Sequence, residues 1–191
     1  MNPSLVVLFA GVGGQGVLSA ARFLGNAAHR LGMPVTVSQL HGMSQRGGAV
    51  QATVAFGSDE ILALGEQPVD ALVGLDLLET LRVVGRAAAA GIVLCNRRLL
   101  PPPGLPAGME QEAATEIQRL VPRAVFLDAT GLAEQAGDRR ALNVVLLGAF
   151  ASLPVCPIPL EEVMAAIRTG TAEAAWATND RAFALGREAV S

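Results

Sequence analysis

Lysine and tyrosine are absent from these 191 residues, and cysteine and histidine occur only twice each. Without lysine the chain has no Schiff-base amine and no P-loop ammonium. Cys95 and Cys156 sit far apart in apolar surroundings, GIVLCN and LPVCPIP. They form no disulfide framework, no CxxC pair and no ligand set for zinc or an iron–sulfur cluster. A reducing, cytoplasmic setting and inert, buried thiols are therefore expected.

Charge is also sparse, at 16% of residues, and every one of the 14 basic residues is arginine. That bias follows as readily from gene composition as from function. No acid precedes Asp59, whereas Arg22, Arg30 and Arg46 do. The net charge of −3 gives no reason to expect nucleic acid or an anionic membrane. Residues 1–21 are uncharged but broken by Asn2, Pro3, Gln15 and a glycine cluster. Residues 141–160 are broken by three prolines, too soon for a bilayer span of about 20 apolar residues.

What is abundant is apolar: 51% hydrophobic residues, with a mean hydropathy of +0.44. Such a chain buries a large core, keeps part of its surface for a partner, or does both. The pattern alternates strand and helix. SLVVLFA (4–10) is a continuous apolar run of the buried-strand kind. QGVLSAARFLGNAAHRLG follows as a helix with Leu18, Ala21, Leu24, Ala28 and Leu31 on its apolar face and Gly32 as its stop. PVTVSQL and AVQATVAFG read as strands, the second with Gln51 and Thr53 opposite its apolar side. DALVGL (70–75) and GIVLCN (91–96) read as strands around a helix near 77–89, with AVFLDA (124–129) a further strand. Helices are expected near 110–120, over NVVLLGAFASL (143–153), over LEEVMAAIR, and over AEAAWATNDRAFALGREAV at the C-terminus. These predict one three-layer α/β/α domain over 1–191, Rossmann-like, with a mostly parallel sheet.

Two motifs carry chemistry. The first is GVGGQG, between the first strand and the first helix. Gly11, Gly13 and Gly16 match G-x-G-x-x-G, and with Gly14 and Gln15 they form a loop whose backbone N–H groups suit an anion. The turn is expected to place Gly13 at positive φ. A dinucleotide site also needs an acid about 20 residues on, and none exists before Asp59, so the reading as an NAD-dependent oxidoreductase fails its second test and ranks third. Close helix–strand packing alone would explain the glycines equally well. The second motif is HGMSQRGG (41–48). Its glycines suit a tight loop that something approaches closely, and Arg46 suits a carboxylate or phosphate.

Other polar residues have simpler readings. Asp76 and Asp128 end strands and are expected to cap the following helices. Asn143 and Asn179 are likewise read as N-caps. His29, late in the first helix, needs no role beyond exposure or a helix-dipole contact.

Taken in order, GVGGQGVLSAARFLGNAAHRLG, HGMSQRGGAVQATVAFG, NVVLLGAF and TNDRAFALG resemble the gamma subunit or gamma domain of 2-oxoacid:ferredoxin oxidoreductases over nearly the whole chain. HGMSQRGG points to the aryl-pyruvate branch, resembling the small subunit of indolepyruvate:ferredoxin oxidoreductase. The resemblance implies oxidative decarboxylation of an aryl 2-oxoacid to an acyl-CoA, carbon dioxide and reduced ferredoxin. It implies thiamine diphosphate and [4Fe–4S] clusters on a large partner subunit, coenzyme A as co-substrate, ferredoxin met through the complex, no cofactor or metal on this chain, and no activity alone. His41, Ser44, Gln45, Arg46, Gly47 and Gly48 are then the candidates facing substrate or coenzyme A. Gly11, Gly13, Gly14, Gln15 and Gly16 are the candidate anion loop. The competing expectation is a free-standing nucleotide- or CoA-binding domain with a regulatory or scaffolding role.

Overall fold

The computed structural model describes residues 5–41, 48–57, 67–101 and 108–190. The central sheet has the order β2-β3-β1-β4-β5-β6. The strands are β1 (Leu5–Val12), β2 (Val35–His41), β3 (Ala49–Phe56), β4 (Val69–Gly74), β5 (Ala87–Asn96) and β6 (Val125–Leu127). β1, β4, β5 and β6 run parallel, while β3 is antiparallel to both β1 and β2. The sheet is thus mostly parallel, as its apolar runs predict, with one reversed strand set by the β2–β3 hairpin.

Alternation along β1 divides the core. Val7 and Phe9 face the larger layer, with α1 (Val17–Arg30), α4 (Ala129–Ala136), α5 (Leu142–Ala151), α6 (Leu160–Thr169) and α7 (Trp176–Glu188). Leu8 and Ala10 face α2 (Leu77–Val83) and α3 (Glu110–Leu120) on the other side. α5 lies at the centre of the larger layer, with all ten residues buried. Among the described residues, no helix is long and apolar enough to cross a membrane.

Local signals hold where they are self-contained. Gly32 (φ 69) ends α1, donating its N–H to the His29 carbonyl while Met33 N–H reaches Ala28. Leu31, expected on the buried face, lies past the helix end and is 42% exposed. Thr53, expected on a polar face, is buried. The helix expected over 77–89 stops at Val83, and Ala87–Ala90, good helix formers, are strand instead. Pairing of Val69 with Ala87 beside β4 overrides that propensity. β6 is three residues long rather than six because Asp128 leaves the strand to start α4, which Gly137 ends at φ 112.

Asp76 and Asp128 cap as expected. Asp76 Oδ1 accepts from the N–H groups of Leu78 and Glu79, and its Oδ2 accepts from Leu100 N–H at 2.6 Å. Asp128 accepts from Gly131 N–H. Burial pushes the Asp76 carboxyl above its ordinary value, against the pull of those backbone donors and of Arg82. A folded state that holds the proton more tightly than the unfolded chain loses stability as pH rises through that window. Glu79, raised chiefly by burial, acts with the same sign. Melting temperatures measured upward from pH 3.5 should therefore fall less steeply for Asp76→Asn than for the parent chain. An unchanged slope would remove Asp76 as a source.

Candidate functional site

The two sequence motifs meet at the carboxyl end of β1, beside the crevice between β1 and β4 where the chain switches from one side of the sheet to the other. Such switch points are where α/β sheets place ligands. Gly11 pairs with Val50 in the β1–β3 register, and His41 pairs with the same Val50 from β2. Gly13 N–H donates to the Gly48 carbonyl at 3.0 Å, which ties the glycine turn to the end of the second motif. Gly42, Met43, Ser44, Gln45, Arg46 and Gly47 lie outside the described residues.

The glycines divide their work. Gly11 is buried inside β1, where a Cβ would sit 2.7 Å from Gln15 Oε1 and 2.9 Å from Val17 Cγ2. Its task is close packing of strand against helix. Left-handed backbone falls on Gly14 (φ 97) and Gly16 (φ 83), not on Gly13 as expected. Gln15 folds back so that its Oε1 accepts from Val12 N–H at 2.8 Å, closing the turn on itself.

Gly16, the N-cap of α1, is held by a residue 127 positions away: Asn143 Nδ2 donates to its carbonyl at 3.3 Å. The expectation that Asn143 is an N-cap is corrected, since Ala141 occupies that position. Asn179 lies inside α7 and donates to Thr171 Oγ1; the cap there is Ala175. A Cβ on residue 16 would meet Asn143 Nδ2 at 2.7 Å, in a backbone conformation that L side chains avoid. Gly16→Ala should therefore cost about 1–3 kcal/mol of stability. A melting curve superposable on the parent would contradict this geometry.

Facing the turn is a cleft of 380 Å³. Gly13, Gly14 and Gln15 form one wall. Asn96 and Thr130 form its floor, joined by Asn96 Nδ2 donating to Thr130 Oγ1 at 3.1 Å and Thr130 N–H donating to Asn96 Oδ1. Leu99 and Leu100 line another part, with the Leu100 N–H held by Asp76. Arg98, Arg139, Arg140 and Leu142 complete the lining. Arg98 meets Asp128 only at 3.4 Å, with both side chains exposed, and such pairs are worth at most about 1 kcal/mol. Arg140 pairs with Asp138, and Arg139 has no ion pair among the described residues. An incoming anion can recruit these guanidinium groups at little cost.

The sequence reading missed this wall. Two dibasic steps, Arg97–Arg98 after β5 and Arg139–Arg140 before α5, were its only local signs. The two cysteines do not offer ready nucleophiles. Cys95, hydrogen-bonded to Thr80, is buried and its thiol is pushed up to about 12. Cys156, half-buried rather than fully so, is pushed up to about 11. Among the described residues, no three of His, Cys, Asp and Glu gather to hold a metal. His29 is exposed.

Residues 6–189 match the pyruvate ferredoxin/flavodoxin oxidoreductase family, and the chain belongs to it. It is 37% identical over 191 residues to the indolepyruvate oxidoreductase subunit IorB of Pyrococcus horikoshii, covering 96% of this chain and 95% of that protein. The fold is that of the gamma subunit of a keto/oxoacid ferredoxin oxidoreductase from Geobacter sulfurreducens, at a TM-score of 0.74 and 24% identity, covering 97% of this chain and 98% of that one. It also aligns, at a TM-score of 0.73 and 18% identity, over 100% of its length with 31% of a 2-oxoglutarate:ferredoxin oxidoreductase chain from Magnetococcus marinus. That structure has 2-oxoglutarate, coenzyme A and succinyl-CoA bound. This chain's homologues are small subunits of indolepyruvate and other 2-oxoacid ferredoxin oxidoreductases, and it resembles them as an accessory subunit.

Proposed function

We propose that this chain seats coenzyme A for a 2-oxoacid:ferredoxin oxidoreductase whose oxoacid is an aryl pyruvate, indolepyruvate first. A large partner subunit would carry the thiamine diphosphate and the [4Fe–4S] clusters, and ferredoxin would meet the complex there. The oxoacid anion, coenzyme A and two oxidised ferredoxins become acyl-CoA, carbon dioxide, a proton and two reduced ferredoxins. This chain's residues bind and orient; the oxidation belongs to the partner's cofactors.

One observation supports the reading: Gly13, which lines the arginine-lined cleft, donates its N–H to Gly48, the last residue of the second motif. Phosphate groups of coenzyme A suit Arg98, Arg139 and Arg140 together with the Gly14 N–H, since the N–H groups of Gly13 and Gln15 are already donated to the Gly48 and Val12 carbonyls. In this reading Arg46 would meet an anionic group of the oxoacid or coenzyme A, and His41, Ser44, Gln45, Gly47 and Gly48 would be the other residues facing it. Coenzyme A in the Magnetococcus marinus structure supports the choice of ligand.

Co-expression with the large subunit should give dye reduction that requires both the aryl 2-oxoacid and coenzyme A. The chain purified alone should carry no iron and no thiamine diphosphate and give no turnover. Stoichiometric iron on the isolated chain, or reduction indifferent to coenzyme A, would defeat the reading. Tight nucleotide binding by a chain that never assembles would favour the free-standing regulatory domain.

A further inference from the structure

The two edges of the sheet are protected very differently. β6 is three residues long and gives way at once to α4, so it offers a neighbour almost no ladder. β2 is seven residues, VTVSQLH, in unbroken register with β3. Native sheets blunt such an edge with charge, an internal proline or a bulge, or cover it with another element. β2 has no acid, arginine, proline or bulge, and no described strand pairs with its outer side.

The ladder decides which groups lie open. The Pro34 carbonyl accepts from Gly57 N–H at 2.9 Å, so residue 34 faces β3. Alternation then turns the N–H and C=O groups of Thr36, Ser38 and Leu40 toward β3, and those of Val35, Val37 and Gln39 away from it. Apolar surface gathers at the same place. Leu31, Val37 and Leu40 are three of the six large apolar side chains exposed among the described residues. α1 lies against this edge, since a Cβ on Gly25 would run into Val37. One turn before Gly25, Arg22 is exposed and has no ion pair among the described residues, whereas Arg30 is taken by Glu162.

Charge and continuity name the occupant. A second copy paired antiparallel at β2 would keep the same face of the sheet upward and set α1 against α1. Each α1 carries arginine and no acid, so like charge would meet like. β2 also runs straight into HGMSQRGG, the motif assigned to the oxoacid or coenzyme A, so a subunit that meets the motif adjoins this edge. We propose that the open edge of β2 pairs with an extended segment of the large partner subunit, apolar beside Val37 and Leu40 and acidic beside Arg22. Backbone hydrogen bonds give such pairing its affinity, and alternate side chains give its specificity. The inference rests on the reading of this chain as one subunit of a complex with that large subunit.

Titration of the purified chain with the large subunit tests it. Gln39→Pro is the sharpest variant, because the N–H it removes points away from β3 and costs the fold no ladder bond. It should weaken association about tenfold or more, and Val37→Lys, which charges the edge, should do the same. Arg22→Glu should weaken association too and reduce its sensitivity to salt. Leu120→Lys, at an exposed apolar position at the end of α3 in the opposite layer, is the control and should change nothing. Parent affinity in both edge variants would overturn the inference, as would an equal loss in the control. Unchanged affinity for Arg22→Glu would overturn the acidic half of it. A chain that sediments alone as a dimer, and as a monomer once Gln39→Pro is made, would give the edge to a second copy and overturn it as well. If the parent never associates with the large subunit, the functional reading itself fails, and this inference with it. Should the melting curve show that Gln39→Pro does not fold, Val37→Lys and Arg22→Glu still decide.

Discussion

Gly186→Ala should cost about 3–5 kcal/mol and lower the melting temperature by roughly 6–20 °C. α5 and α7 touch backbone to backbone. A Cβ on Gly186 would sit 1.9 Å from the Val145 carbonyl oxygen, and one on Gly148 would sit 2.2 Å from that of Phe183. Real Cβ atoms essentially never come within 3.0 Å, so the helices must separate. Neither obstacle is a side chain that can rotate away, which sets this above the usual 1–3 kcal/mol of overpacking. Because α5 is buried on every side, the displacement would reach α1, α4 and α6 as well. Gly85→Ala is the control: its Cβ would meet nothing within 4 Å, and it should leave melting nearly unchanged. A Gly186→Ala protein that melts with the parent would mean the helices are not in this contact.

Arg46→Ala should leave the complex assembled and lower the specificity constant for one substrate about 10- to 150-fold. One lost charge-assisted contact is worth roughly 1.5–3 kcal/mol. In sequence Arg46 lies two residues before Gly48, whose carbonyl accepts from the Gly13 N–H. Varying the oxoacid and coenzyme A separately identifies the anion: a rise in KM for one alone names it. Lysine should restore activity only partly, since it keeps the charge but not the planar fork. Unchanged constants in an assembled complex would refute the role, and failure to assemble would make Arg46 an interface residue.

How far the chain can be read without its structure depends on the distance between partners. Asp76 and Asp128 announce their helices because the N–H groups they cap lie two or three residues on. The third contact of Asp76, to Leu100, is 24 residues away and carries no local mark. The same limit hid the role of Asn143. As an asparagine near a helix start it reads as a cap, yet its partner is Gly16, 127 residues earlier. Ala87–Ala90 were misread for a related reason: alanine's helix preference is a fraction of a kcal/mol per residue, and a neighbouring strand with open N–H and C=O groups outweighs it.

The sequence by itself determined the alternation of strand and helix, the glycine turn after β1, the stop at Gly32 and the family resemblance, because each rests on periodicity or contiguous residues. Only the tertiary structure decided that β3 runs backward and that Gly13 reaches Gly48. Only it placed Arg98, Arg139 and Arg140 opposite the turn and Asn143 against Gly16. Those residues come from the ends of different strands and helices. A parallel sheet collects its strand ends at one edge whatever their separation in the chain, and that gathering leaves no periodic trace along the sequence.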